Sequence, residues 1–109
     1  MTKNELTEML EKLEIPVYEG YITNGTGMYP RINYFDYVWE DMMASSEVYE
    51  EIETYQISFF SKTPRHPKLL ELRKKLREQD IHPMIYHEYV LDENNKRCVH
   101  SYFKVEVVV

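Results

Sequence analysis

Arg97-Cys98-Val99-His100-Ser101-Tyr102-Phe103-Lys104-Val105-Glu106-Val107-Val108-Val109 is the stretch that decides the fold. Successive side chains of a strand point to opposite faces. Val99, Ser101, Phe103, Val105, Val107 and Val109 therefore share one face, and Cys98, His100, Tyr102, Lys104, Glu106 and Val108 share the other. Phe103 and Val105, interleaved with Lys104 and Glu106, are expected on the buried side. Ahead of them Asp92-Glu93-Asn94-Asn95-Lys96 has turn chemistry, which makes residues 84–91 the other strand of a hairpin.

Moving toward the N-terminus, Thr63-Pro64-Arg65-His66-Pro67 leads into a helix, with Pro67 in the first turn where its missing donor costs nothing. Leu69, Leu72 and Leu76 make its apolar stripe, Leu70 lies beside it, and Arg73, Lys74, Lys75, Arg77 and Glu78 face solvent. Asp80 and Pro83 end it. Residues 49–61 read as a long strand. Tyr55, Ile57 and Phe59 share a face with Glu51 and Glu53, so one end is acidic and the other apolar. Residues 31–39 are rich in β-branched and aromatic side chains, and residues 40–47 read as a polar connecting loop carrying Met42, Met43 and Ala44. Residues 17–21 form a short strand, completing a β-meander, and the loop after it holds Gly25 and Gly27. The first helix repeats Leu6, Met9, Leu10 and Leu13 at helical spacing, has capping-box spacing from Thr2 to Glu5, and stops before Pro16. The predicted class is α+β: two helices packed on a mostly antiparallel sheet, in the order α-β-β-β-α-β-β.

The chain has 109 residues, 43% of them hydrophobic and 29% charged. That is an ordinary globular composition for a single domain, residues 1–109. Its apolar runs are too short to span a membrane, and its first residues enter a charged amphipathic pattern with no secretory h-region. The net charge is −6. A binder of nucleic-acid phosphates needs a basic face, and the one basic cluster, Arg73, Lys74, Lys75 and Arg77, is flanked by Glu71 and Glu78 and reads as solvated helix surface. Cys98 is the single cysteine, so no internal disulfide forms and a reducing intracellular setting is expected.

Catalytic signatures are weak. Neither GxGxxG, a P-loop, HExxH, paired CxxC nor GxSxG occurs. His87 and His100 meet across the hairpin only in one register, with Glu88 nearby, short of the ligands a zinc site uses. The acids Asp36, Glu40, Asp41, Glu50, Glu51 and Glu53 read as solvated charge rather than a paired acid and base. No catalytic, cofactor or metal residue is assigned. Ten tyrosines, four phenylalanines and one tryptophan are more aromatics than so small a core can hide, and tyrosine favours interfaces.

Tyr29-Pro30-Arg31-Ile32-Asn33-Tyr34 after a glycine-bearing loop, the long strand of residues 49–60, the helix Pro67-Lys68-Leu69-Leu70-Glu71-Leu72-Arg73-Lys74-Lys75-Leu76-Arg77, then His87-Glu88-Tyr89 and the closing Tyr102-Phe103-Lys104-Val105-Glu106-Val107-Val108 form a familiar series. Together they resemble the small tail-completion proteins (tail-terminator, head–tail joining) of siphophages and prophages of Gram-positive bacteria. The likeness spans nearly the whole chain and lies in strands and aromatics, not in a catalytic motif. It implies a non-enzymatic structural subunit without cofactor, forming a ring, typically of about six copies, that terminates the tail tube and joins it to the head. The implied partners are its own copies, the tail-tube protein and the head–tail connector proteins, with DNA passing through the lumen without stable binding. Host cytoplasm during assembly and the virion tail are the implied locations. Expected partner-interface residues are Asn24, Gly25, Gly27 and Met28 in the first loop, Met42 and Met43 in the second, and Tyr49 at the start of the long strand. Both loops are expected to be mobile in the monomer and to order on assembly. The rival classes are a generic intracellular interaction module and a small metal-dependent hydrolase or nuclease.

Overall fold

A computed structural model describes residues 1–44 and 47–109. Thr2 caps helix α1 (Lys3–Glu11), its hydroxyl accepting from the Glu5 amide at 3.2 Å. Leu6, Met9 and Leu10 line the buried face, and Leu13 follows them inward. Glu14, at φ 59°, turns the chain out of the helix before Pro16 is reached. Pro67 opens helix α2 (Pro67–Glu78), and His66 Nδ1 caps it by accepting from the Lys68 amide at 3.1 Å.

The strands are β1 (Val17–Glu19), β2 (Arg31–Ala44), β3 (Glu47–Ser61), β4 (Tyr86–Leu91) and β5 (Arg97–Val108), so the chain order is the predicted α-β-β-β-α-β-β. They form one sheet in the order β1-β2-β3-β5-β4, antiparallel except for the parallel pair β1–β2. The fold is α+β. Both helices lie on one face, where Leu6, Leu10, Leu13, Leu69, Leu72 and Leu76 pack on Ile32, Tyr34, Tyr55, Ile57, Phe59, Phe103, Val105 and Val107. Phe103 and Val105 are buried, as the alternation in β5 predicts.

Three expectations are corrected. Of the polar loop expected over residues 40–47, residues 40–44 and 47 are strand, and residues 45–46 lie outside the described residues. β2 continues to Ala44 and β3 begins at Glu47, with Asp41 opposite Glu51 and Met42 opposite Glu50. Polar composition does not end a strand when both of its faces meet water, because the backbone ladder alone carries the pairing. The β-meander fails at its first step. β1 runs parallel to β2, so residues 20–30 must carry the chain back along the sheet before β2 can start. β1 and β4 are also shorter than predicted; β1 ends at Glu19, where Gly20, at φ 111°, turns away.

Candidate interaction surfaces

β2 meets β1 only at residues 32–34, so from Phe35 to Ala44 its outer edge has no partner among the described residues. On the inner side β5 ends opposite Ile52. Beyond that point β2 and β3 continue as a two-stranded ribbon with no further strand beside them among the described residues, and the molecule measures 52 × 27 × 21 Å. Register shifts at Asp36/Val38 and at Met42/Met43 mark bulges, which add twist. The ribbon exposes large apolar side chains: Trp39 at 70%, Met43 at 58%, with Tyr37, Val38 and Met42 also outside. The Lys104 ammonium sits 3.9 Å from the Tyr37 ring centroid at the base of this arm. Every charged residue between Ile32 and Ser61 is acidic. Met42 and Met43 are thus strand residues on a projecting arm; the side chain of Tyr49 lies outside the described residues.

The loop between β1 and β2 crosses the sheet face opposite the helices. Asn33, fully buried, donates from Nδ2 to the carbonyls of Tyr21 and Asn24, each at 2.9 Å. Arg31 donates to Asn33 Oδ1 at 3.0 Å and to the carbonyls of Met28 and Ile22 at 3.4 and 3.5 Å. Its guanidinium is buried against the Phe60 ring, 4.0 Å from the centroid, with no carboxylate paired to it among the described residues. Carbonyl dipoles and the ring face balance that charge. Gly25, at φ 76°, packs where a Cβ would overlap the Tyr18 ring, and Gly27, at φ 90°, abuts Asn94 of the β4–β5 turn. The Tyr29 hydroxyl donates to Asp92 of the same turn. Asn24, Gly25 and Gly27 therefore shape this crossover, while Met28 is 46% exposed and accepts on sulfur from the Tyr18 hydroxyl at 3.3 Å.

At the opposite edge of the sheet β4 is exposed along its whole length and has no outer partner among the described residues. Tyr89 is 72% exposed, and Tyr86, Val90 and Leu91 are also open. A shallow groove separates this strand from α2, lined by Arg65, Leu69, Leu70, Arg73, Pro83, Ile85 and His87. A second hollow beside it involves Lys62, Pro64, Tyr89, Leu91 and Arg97. None of Lys62, Arg65, Arg73 and Arg97 is ion-paired among the described residues. Sequence reasoning missed this surface. Tyr86 to Leu91 reads as an ordinary strand, and only the sheet order makes it an edge.

The buried polar groups of the sheet form a chain across the strands. The His100 ring stacks on Phe60 at 4.5 Å and 7°, and Tyr102 stacks on Tyr86 at 5.6 Å. His100 Nε2 hydrogen-bonds Ser58 Oγ at 2.8 Å, and its Nδ1 lies 3.5 Å from Glu88. The serine–histidine–carboxylate connectivity is that of a hydrolytic triad, brought together from three strands and invisible in the sequence. Ser58 is fully buried in the middle of β3, so no substrate can reach its Oγ, and the link cross-braces the sheet instead. His87 pairs opposite Ser101 and bonds its hydroxyl at 2.8 Å, whereas His100 pairs opposite Glu88. The two histidines thus face opposite sides of the sheet and do not form a ligand pair. Among the described residues no three His, Cys, Asp or Glu side chains converge on a metal position. Cys98 is buried, and Tyr29, which neighbours it, has its hydroxyl pKa raised by burial first and by the bond to Asp92 second.

No helix among the described residues is long and apolar enough to cross a membrane. No protein-family model matches the chain, and no curated protein matches it significantly.

Proposed function

We propose that this chain is a non-enzymatic structural subunit of a siphophage or prophage neck, a tail-completion protein that assembles as a ring on the head-proximal end of the tail tube. One observation carries the reading: the β2–β3 ribbon leaves the helix-covered body and presents Trp39, Met42 and Met43 to solvent. Exposed apolar surface on an acidic arm has no role in folding the monomer and is suited to a protein contact. Methionine adapts its shape to the surface it meets. The partners under this reading are further copies, the tail-tube protein and the head–tail connector. The net charge of −6 suits a passage through which DNA slides without sticking.

The test is complementation of a phage or prophage lacking this gene. Met42→Asp together with Met43→Asp should leave the melting temperature within a few degrees of wild type, because both side chains are exposed. Tails made with this variant should be long or uncapped when viewed by electron microscopy. Normal tails in the null strain without complementation would sink the tail-completion reading. A fully functional double variant would remove the arm from it.

A further inference from the structure

We infer that the subunits join head to tail, the acidic arm of one copy laying its free β2 edge along the free β4 edge of the next and seating Trp39 in the basic groove between β4 and α2. This interface rests on the ring reading above and adds to it the surfaces that meet. Among the edges the described sheet leaves unpaired, the outer edge of β2 from Phe35 to Ala44 and the outer edge of β4 lie at its two sides. β4 pairs with the part of β5 between Arg97 and Tyr102, opposite the end of β3, so it sits at the far end of the sheet from the ribbon. Donor and acceptor edges are therefore diagonally opposed on one molecule. Such an arrangement makes a heterologous contact that repeats from copy to copy and closes only as a ring.

Strand direction agrees. β2, β3, β5 and β4 are successively antiparallel, so β2 and β4 run in opposite directions. A neighbour set alongside in the same orientation offers β2 antiparallel to β4, the more stable pairing. Lengths agree as well. Phe35 to Ala44 of β2 has no outer partner among the described residues, and β4 has six residues to receive it.

The chemistry selects a second copy over other occupants. Trp39 pairs with Glu53 and Asp41 with Glu51, which places both on the sheet face that carries the helices. On that same face the receiving edge offers Leu70 and Ile85 with Arg65 and Arg73 around them. The arm carries acids and no base; the groove holds arginines without carboxylate partners among the described residues. An apolar anchor ringed by opposite charge on each side is a self-complementary pair of surfaces on a single chain.

The experiment uses the full chain and two charge-reversed variants, one in the arm (Glu40→Lys with Asp41→Lys) and one in the groove (Arg65→Glu with Arg73→Glu). Sedimentation velocity follows association, and fluorescence follows burial of Trp39, the only tryptophan in the chain. Wild type should associate as concentration rises, with Trp39 emission moving to shorter wavelength, and added salt should weaken it. Each variant alone should keep its thermal unfolding transition and associate roughly tenfold more weakly or worse. An equimolar mixture of the two should recover wild-type association, since each reversed arm then meets a reversed groove. Assembly that proceeds with unshifted Trp39 emission and ignores both reversals would overturn this interface while leaving the ring intact. A Trp39 shift seen only when purified tail-tube protein is added would assign the arm to that partner and overturn the second copy as its occupant. A chain that stays monomeric at every concentration, alone and with tube protein, would overturn both readings.

Discussion

At residue 100 an imidazole is buried between Phe60 and Tyr102, with Ser58 on one nitrogen and Glu88 near the other. Burial is the largest influence and lowers its pKa below the ordinary 6.5; Glu88 acts in the opposite direction and Arg31, beyond the Phe60 ring, lowers it further. The folded chain thus resists a proton that the unfolded chain accepts. Stability from this group is fully present above the unfolded value and is lost as pH falls through the lowered folded value. Unfolding free energy measured by urea titration should decline as pH drops below about 6.5. His100→Gln, which can still bond Ser58, should flatten that limb without removing the acid loss due to carboxylates at lower pH. Equal slopes in wild type and variant between neutral pH and the carboxylate range would contradict the burial of a neutral His100.

Strand β5 shows the same logic over a whole element. Phe103, Val105 and Val107 enter the core, while Lys104 and Glu106 between them stay in water. Phe103 lies opposite Ile57 and is 2% exposed, so Phe103→Ala should cost on the order of 3–5 kcal/mol. For a domain of this size that lowers Tm by roughly 12 °C or more, read by calorimetry or circular dichroism. An unchanged Tm would refute the register. At its N-terminal end the element departs from simple alternation. Cys98 and His100 are buried on the face opposite the helices, beneath the β1–β2 crossover anchored by Arg31 and Asn33. The sheet is thus covered on both faces at one end and bare on both at the other.

That gradient sets the shape of the molecule. The Cα radius of gyration is 15.0 Å, against about 13 Å for a compact domain of this length. The accessible surface is 7122 Å², against about 6,400 Å² expected from its mass. The projecting arm contributes to both. Small-angle scattering from the dilute chain should give an elongated particle with a tailing distance distribution, not the symmetric curve of a sphere. A symmetric curve at the compact radius would mean that the ribbon folds back on the body and hides Trp39. Charge follows the same axis. Acids fill the arm, and Lys62, Arg65, Arg73 and Arg97 line the hollows beside β4 at the other end of β3. A subunit built this way has unlike ends to offer its neighbours.

By itself the sequence determined both helices, the chain order of the elements and the buried face of β5. Each depends on local periodicity: Leu6, Met9, Leu10 and Leu13 at helical spacing, and Phe103, Val105 and Val107 at strand spacing, can each bury their apolar side chains in only one way. It also singled out Met42, Met43 and the glycine-bearing loop as expected contact residues. What only the tertiary structure decided was who neighbours whom. The parallel β1–β2 pair, the position of β4 at an edge, the basic groove beside it, and the meeting of Ser58, His100 and Glu88 all join residues distant in the chain. The extension of β2 to Ala44 belongs with them. Its outer residues bury too little to leave a periodic signature, and they are strand because β3 supplies the hydrogen bonds.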